Sequence, residues 1–317
     1  MVLKSPEGVG TILNDRFAVY TSPADPFPDG REAWGDVSSD FSTGAGATRR
    51  PLPGPPDALD METVVHHERE TAYRVADRAD GGSPVLFVHG SGGTHEIWKS
   101  QFARLATERP IVGLDLSGHG GSTDVSTEAG SETLTAYVED VLAVAAATDA
   151  RTLVGNSLGG AVVQTALIER DPDVDAAVLV GSGAKLAVLE DLRTWLETDF
   201  DRAVEFLHGE DMLFHDPDPR LDTLSRAQMR SVGRAVTSRD FLTSHAFDER
   251  ERLDQIAVPT LAITGEHDGL TPAAYHEYLA EHIPTASCEI LPDAAHLSML
   301  ETPEAFNEAV ASFWSRS

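Results

Sequence analysis

Apolar and polar positions change their period along this 317-residue chain, and each change marks an element. From Met61 onward the pattern is regular. Residues 62–67 and 71–76 read as two strands across a tight turn, an opening β-hairpin. Residues 84–88 (PVLFV) are a continuous apolar run, as expected of a strand buried on both faces. A helix follows at about 98–107, a strand at 110–116 and an Ala/Val-rich helix at 134–148. The run 152–154 suits the end of a buried strand. The helical stretch 161–170 stops at Asp171-Pro172, where proline cannot continue it, and 176–180 is again a strand. Alternating strands and helices predict an α/β fold, a mostly parallel sheet with helices on both faces.

The alternation breaks between 184 and 248, where the signals are helical only, in pieces at 186–197, 201–208 and 224–236. It resumes with strands at 259–264 and 287–291 and helices at 272–282 and 303–314. Thr271-Pro272 and Thr302-Pro303 each read as an N-cap followed by proline at the first helical position. The expected organisation is a core of 61–183 and 249–317 interrupted by a helical cap, 184–248. Residues 1–60 differ from the rest: Pro, Gly, Ser and Asp are dense, and only 12–20 has a strand-like flavour. They read as an irregular extension, with Met61 as the true start. The competing reading is an arm over the site, anchored by Phe17, Tyr20, Phe27 or Trp34.

Composition narrows the function classes. No run approaches the roughly 18 apolar residues of a membrane helix, and the N-terminus lacks the order of a signal peptide. The expectation is a cytoplasmic protein with no membrane partner. One cysteine, Cys288, excludes an intrachain disulfide and reads as a small buried hydrophobe in a strand. No Cys/His cluster has zinc-site spacing, and no metal or cofactor is expected. The net charge is −28, with 52 acidic against 24 basic residues, of which only Lys4, Lys99 and Lys185 are lysines. Nucleic-acid binding is therefore disfavoured. The acid excess points to a halophilic protein, adapted to high intracellular salt.

Candidate chemistry centres on Gly155-Asn156-Ser157-Leu158-Gly159, a Gly-x-Ser-x-Gly pattern between a strand and a helix. Such a turn is a nucleophile elbow, with the serine held in a strained conformation and its hydroxyl outward. A serine hydroxyl needs a base, and the base needs a group that fixes its tautomer. Four other motifs accompany the elbow GNSLGG (155–160): HGSGG (89–93), DLSGHGGS (115–122), GEHDGLTP (265–272) and AAHLSMLETPEAF (294–306). On these five marks, in this order, the chain from about Met61 resembles the α/β-hydrolase superfamily with a helical cap. Ala295, before the histidine, stands where that superfamily often has glycine.

In that superfamily the triad runs serine, acid, histidine. The resemblance implies Ser157 as nucleophile, Asp268 as acid in the loop after one strand, and His296 as base just past the next. Asp293 is the competing acid. Oxyanion-hole N–H groups are expected from Leu158 and Ser91, with Gly90 beside the substrate. His89, His119, His267 and Asp115 read as structural loop residues. In the cap, Trp195 is the expected substrate contact, among apolar residues (Leu189, Leu192, Leu196, Phe206, Leu207) that could equally seal the cap on the core. Serine rather than aspartate at the elbow separates the chain from dehalogenases and epoxide hydrolases, which it resembles overall. The expected partner is a small-molecule carboxylic ester, thioester or lactone. A carbon–carbon bond hydrolase of aromatic ring-cleavage products is the alternative, since GNSLGG is similar to the elbow of those enzymes. Their acidic substrates would need Lys99, Lys185 or Arg193 nearby. An alternative of another class is a hydrolase-fold receptor with little turnover.

Overall fold

The computed structural model describes residues 61–316. The expectations for residues 1–60, including the aromatic anchors, lie outside the described residues. The strands are β1 (Glu62–His66), β2 (Arg69–Ala76), β3 (Val85–Val88), β4 (Ile111–Leu114), β5 (Thr152–Asn156), β6 (Ala176–Val180), β7 (Thr260–Gly265) and β8 (Ala286–Leu291). The helices are α1 (Lys99–Arg104), α2 (Ser131–Thr148), α3 (Leu158–Arg170), α4 (Glu190–Thr198), α5 (Phe200–Leu207), α6 (Pro219–Val232), α7 (Arg234–Ala246), α8 (Ala273–His282), α9 (Ser298–Glu301) and α10 (Pro303–Trp314).

One sheet runs β1-β2-β4-β3-β5-β6-β7-β8. β1 and β2 pair antiparallel, as do β2 and β4, and every later pairing is parallel. The opening hairpin turns on His67 and Glu68, both at positive φ (44° and 61°). A two-residue loop of that kind matches the twist of the strands it joins. β3, β4, β5, β6 and β7 are buried at every position, as their continuous apolar runs predict. Alternation along β3 sends Leu86 and Val88 to one apolar layer and Val85 and Phe87 to the other. At the sheet edge, β8 alternates instead. Cys288 is therefore half-buried rather than enclosed, and its burial pushes the thiol up to about 11.

The strand order reverses between β3 and β5: the chain runs from β3 outward to β4, then back past β3 to β5. Such a switch point opens a crevice at the carboxyl ends of the strands. The turns after β3 and β5 therefore lie side by side there, with Val88 paired to Gly155.

Between β6 and β7 the chain is helical, as expected, but its boundaries differ. Residues 186–189 are irregular, not helical. Lys185 bridges Asp248, and Glu249 N–H donates to Ala184 O at 2.7 Å, so the two ends of the insertion are drawn together and the entering chain stays open. The piece at 224–236 is two helices, α6 and α7, broken at Gly233 with φ 88°. At α8 the cap residue is Pro272, not the expected Thr271. The Thr271 hydroxyl is engaged elsewhere.

Candidate active site

β5 passes into α3 through Ser157 alone, so the reversal is concentrated in one residue at φ 55°, ψ −117°. That region is costly for a side chain and persists only where the surroundings over-determine it. They do so here. Ser157 N–H donates to Val180 O at 2.8 Å, and its carbonyl accepts from Gly160 N–H at 2.9 Å and Ser182 Oγ at 2.9 Å. A Cβ on Gly155 would run into the backbone of Gly159, and one on Gly159 into the carbonyl of Val88. Both positions must be glycine for strand and helix to meet this closely.

On the neighbouring strand ends, Asp268 follows β7 and His296 follows β8. His296 Nδ1 lies 3.0 Å from Asp268 Oδ2. Both residues are buried. The same carboxylate accepts the hydroxyls of Thr264 and Thr271 at 2.8 Å each, and the N–H groups of Leu270 at 2.9 Å and Thr271 at 2.8 Å. Burial pushes the Asp268 carboxyl up. The adjacent His296 and the hydrogen bonds outweigh it, and the carboxyl sits below its ordinary range. Facing a carboxylate, Nδ1 carries the proton and Nε2 keeps its lone pair. Asp293 is exposed and makes no contact with His296 among the described residues. Asp268 is thus the acid the structure brings to the histidine.

The loop after β3 closes against the elbow. A Cβ on Gly90 would lie 3.0 Å from Ser157 Cβ. Gly93 N–H donates to Gly90 O at 3.1 Å, and Gly92 has φ 65°, so Gly90–Gly93 is a turn with positive φ at its third residue. The N–H groups of Ser91 and Leu158 have no hydrogen-bond acceptor among the described residues. Beneath the loop, His89 Nε2 accepts Leu116 N–H at 3.1 Å, so its Nδ1–H donates to Gly90 O at 2.8 Å. Burial, helped by nearby His119, lowers His89 to about 4 and keeps it neutral.

Ser157, His296, Gly90 and Ser91 line one cavity of about 430 Å³. The serine hydroxyl makes no hydrogen bond among the described residues. Such contacts tighten in the complex with substrate. The far wall belongs to the helical insertion and is largely apolar, including Leu192, Phe206, Leu221, Met229 and Phe241. Glu96 and Lys99 are the charged residues of the wall, and Lys99 helps hold the Glu96 carboxyl below its usual range, after the larger effect of its hydrogen bond to His95.

Trp195 is a correction: it does not line this cavity. The buried face of α4 carries Leu192 and Leu196, four residues apart, which turns the ring of Trp195 sideways. It packs on Phe206 (5.4 Å between centroids) and under Arg202 (4.2 Å). Lys185 and Arg193 are also outside the wall.

Asp211, His215 and His267 bring ligand atoms within 4.8 Å of one another, a group that sequence spacing does not flag. The two imidazoles are stacked at 3.6 Å and 4°, and His215 Nδ1 bonds Asp211 at 2.6 Å. Lone pairs in parallel planes do not converge on one ion, so stacking and that hydrogen bond account for the group. The sequence also gives no sign of Asp240. It sits on α7 within a buried face of Val236, Thr237, Thr243 and Ser244, too polar for a hydrophobic period to reveal.

Residues 85–309 match the model of the alpha/beta hydrolase family. Over 249 residues the chain is 30% identical to the pimeloyl-acyl-carrier-protein methyl ester esterase of Pectobacterium carotovorum, covering 74% of this chain and 94% of that one. Over 259 residues it is 26% identical to the 2-hydroxy-6-oxo-6-(2'-aminophenyl)hexa-2,4-dienoic acid hydrolase of Metapseudomonas resinovorans, covering 78% and 88%. Among solved structures, a thermophilic esterase superposes with a TM-score of 0.71 at 28% identity, over 81% of this chain and 98% of that one.

Proposed function

The chain belongs to the alpha/beta hydrolase family, and on that premise we propose that it is a serine hydrolase cleaving a small or medium carboxylic ester, thioester or lactone through an acyl-enzyme on Ser157. The observation that carries this reading is the 3.0 Å contact between His296 Nδ1 and Asp268, with His296 and the strained Ser157 opening into one cavity.

His296 Nε2 takes the proton of Ser157 Oγ as that oxygen attacks the substrate carbonyl. Asp268 stabilises the imidazolium that forms. The carbonyl oxygen becomes an oxyanion and accepts from Ser91 N–H and Leu158 N–H, the second at the N-terminus of α3, where negative charge is favoured. His296 then gives its proton to the leaving alcohol or thiol, or to the alkoxide end of an opened lactone. Water, deprotonated by His296, repeats the cycle on the acyl-enzyme.

The helical insertion, residues 184–248, acts as the cap that selects substrate. Its wall favours an uncharged, apolar chain, since water is released from apolar surface on both sides. The carbon–carbon hydrolase reading needs cations for an acidic substrate. Lys99 is the one lysine in the wall, and Glu96 shares it. A pure receptor has no use for a strained serine that shares its cavity with a carboxylate-paired histidine. The test is a p-nitrophenyl ester panel with Ser157→Ala as control. Turnover that survives Ser157→Ala excludes the mechanism.

A further inference from the structure

We infer that Asp240, on the cap helix α7, is a positioning residue for the oxyanion hole: its carboxylate holds the turn that carries Ser91 N–H, as one half of a buried ion pair with His119. The inference rests on the serine-hydrolase reading above, in that it concerns the same oxyanion site.

Asp240 is fully buried. Its Oδ2 accepts Gly92 N–H at 2.9 Å and His119 Nε2 at 2.9 Å, and its Oδ1 accepts the Tyr137 hydroxyl at 2.6 Å. The protonation of His119 follows from its partners. Its Nδ1 lies 3.2 Å from both Leu116 O and Ser117 O, which can only accept, so Nδ1 carries a proton. Its Nε2 faces a carboxylate that is already accepting two other donors, and carries the second. His119 is an imidazolium. His89, whose ring lies 4.6 Å away, is neutral because its Nε2 accepts a backbone N–H, so it does not oppose the charge. Burial pushes the Asp240 carboxyl up and the His119 imidazole down. Their mutual attraction and hydrogen bonds reverse both shifts.

A staple between cap and core needs none of this. α7 is already docked by Arg239 on Val125 O at 2.7 Å and by Thr243 Oγ1 accepting Gly130 N–H at 3.0 Å. What sets Asp240 apart is the atom it takes. In the Gly90–Gly93 turn, the peptide joining Ser91 to Gly92 is the one that flips between the common turn types. Asp240 accepts its N–H and leaves one orientation. The preceding peptide, which supplies Ser91 N–H, is held through its carbonyl by His89 and Gly93. Two consecutive peptides are thus clamped, one from the core and one from the cap. Seating α7 and aiming the oxyanion donor become one event.

The test uses the full chain and an acetate-to-hexanoate p-nitrophenyl series. In Asp240→Asn the amide nitrogen can face the Tyr137 hydroxyl, which accepts as well as donates, but the one remaining oxygen is neutral, so its hold on Gly92 N–H weakens and the charge partner of His119 is lost. The expected result is a kcat lower by about 10- to 100-fold, with KM within about twofold, since a misaimed donor is felt in the transition state. An aryl boronic acid, which forms a tetrahedral adduct on serine, should lose affinity by a similar factor. Thr243→Val removes a different docking contact of α7, the one to Gly130 N–H, without touching Asp240, His119 or Gly92. It should lower the melting temperature and leave kcat alone. Wild-type kcat in Asp240→Asn, or a fall in kcat that tracks melting temperature in both variants, overturns the inference. Turnover that persists in Ser157→Ala instead overturns the serine reading, which separates the two failures. A readout on the unsubstituted protein needs no turnover: the Gly92 amide proton should resonate far downfield and both His119 ring nitrogens should be protonated at neutral pH. An ordinary Gly92 shift, or a neutral His119, overturns it as well.

Discussion

Asp268 Oδ2 accepts from His296 Nδ1 at 3.0 Å while accepting the Thr271 hydroxyl at 2.8 Å. A carboxylate so fully paired stays ionised in a buried site, and it fixes the Nδ1 edge of the imidazole. Asp268→Asn keeps the shape but favours the wrong tautomer. Its kcat should fall by about 10,000-fold, and Ser157→Ala or His296→Ala by at least as much. Ester turnover with excess substrate measures it. An Asp268→Asn enzyme within tenfold of wild type would mean another acid serves His296.

The elbow tolerates no added methyl group. In Gly159→Ala the new Cβ meets the carbonyls of Val88 and His89, which are backbone and cannot swing aside. We expect a loss of stability of about 3 kcal/mol or more, at the upper end of what overpacking costs. Denaturant unfolding reads it. An unchanged midpoint would show that β3 and α3 can separate more easily than their packing implies.

Selectivity should follow the wall rather than the side of α4. Phe206 lines the cavity and Trp195 packs behind it. Phe206→Ala should shift the preference between long- and short-chain esters by about tenfold, the scale of a small change of pocket contact. Trp195→Ala should shift it less. The reverse ranking would place the ring of Trp195 in the substrate path.

Buried histidines set a stability optimum near pH 6.5. Burial lowers His89 and His276 to about 4, against 6.5 in the unfolded chain. Between those values the unfolded state binds more protons, so their contribution is lost as pH falls from 6.5 through 4. His95 is opposite. Burial lowers it, but hydrogen bonds to Asp115 and Glu96 outweigh that and raise it to about 9. Its contribution is complete below 6.5 and lost as pH rises through 9. His119 is raised too and acts in the same direction. The melting temperature should decline on both sides, and His95→Gln should flatten the alkaline side. A flat profile above pH 6.5 in the wild type would contradict the His95–Asp115 pairing.

With 52 acidic and 24 basic residues, the folded chain repels itself. At about 1 M salt the screening length is roughly 3 Å, so KCl should raise the melting temperature steadily into the molar range. No change between low and molar KCl would point instead to an acidic surface that serves a partner.

Much of this molecule is legible in its sequence. Runs such as PVLFV have one physical solution, a strand buried on both faces, and their alternation with helices leaves a parallel sheet. Ser157 was legible because an elbow demands glycine at fixed offsets. Asp268 and His296 followed from their places after successive strands. All of these are local patterns, and period and sterics write them into the chain.

What the tertiary structure decided is what depends on distant partners. Residues 186–189 have helical composition yet form no helix, because Lys185 and Ala184 are tied to Asp248 and Glu249. Thr271 looks like a helix cap, but Asp268 takes its hydroxyl. Trp195 looks like a pocket residue until α4 is rotated by the burial of Leu192 and Leu196. Asp240 reads as one more acid in an acidic chain. It becomes a clamp only because folding sets it against Gly92 and His119, residues 148 and 121 positions away. A hydrogen bond between such positions leaves no period in the sequence, since neither neighbourhood shows what the other will supply.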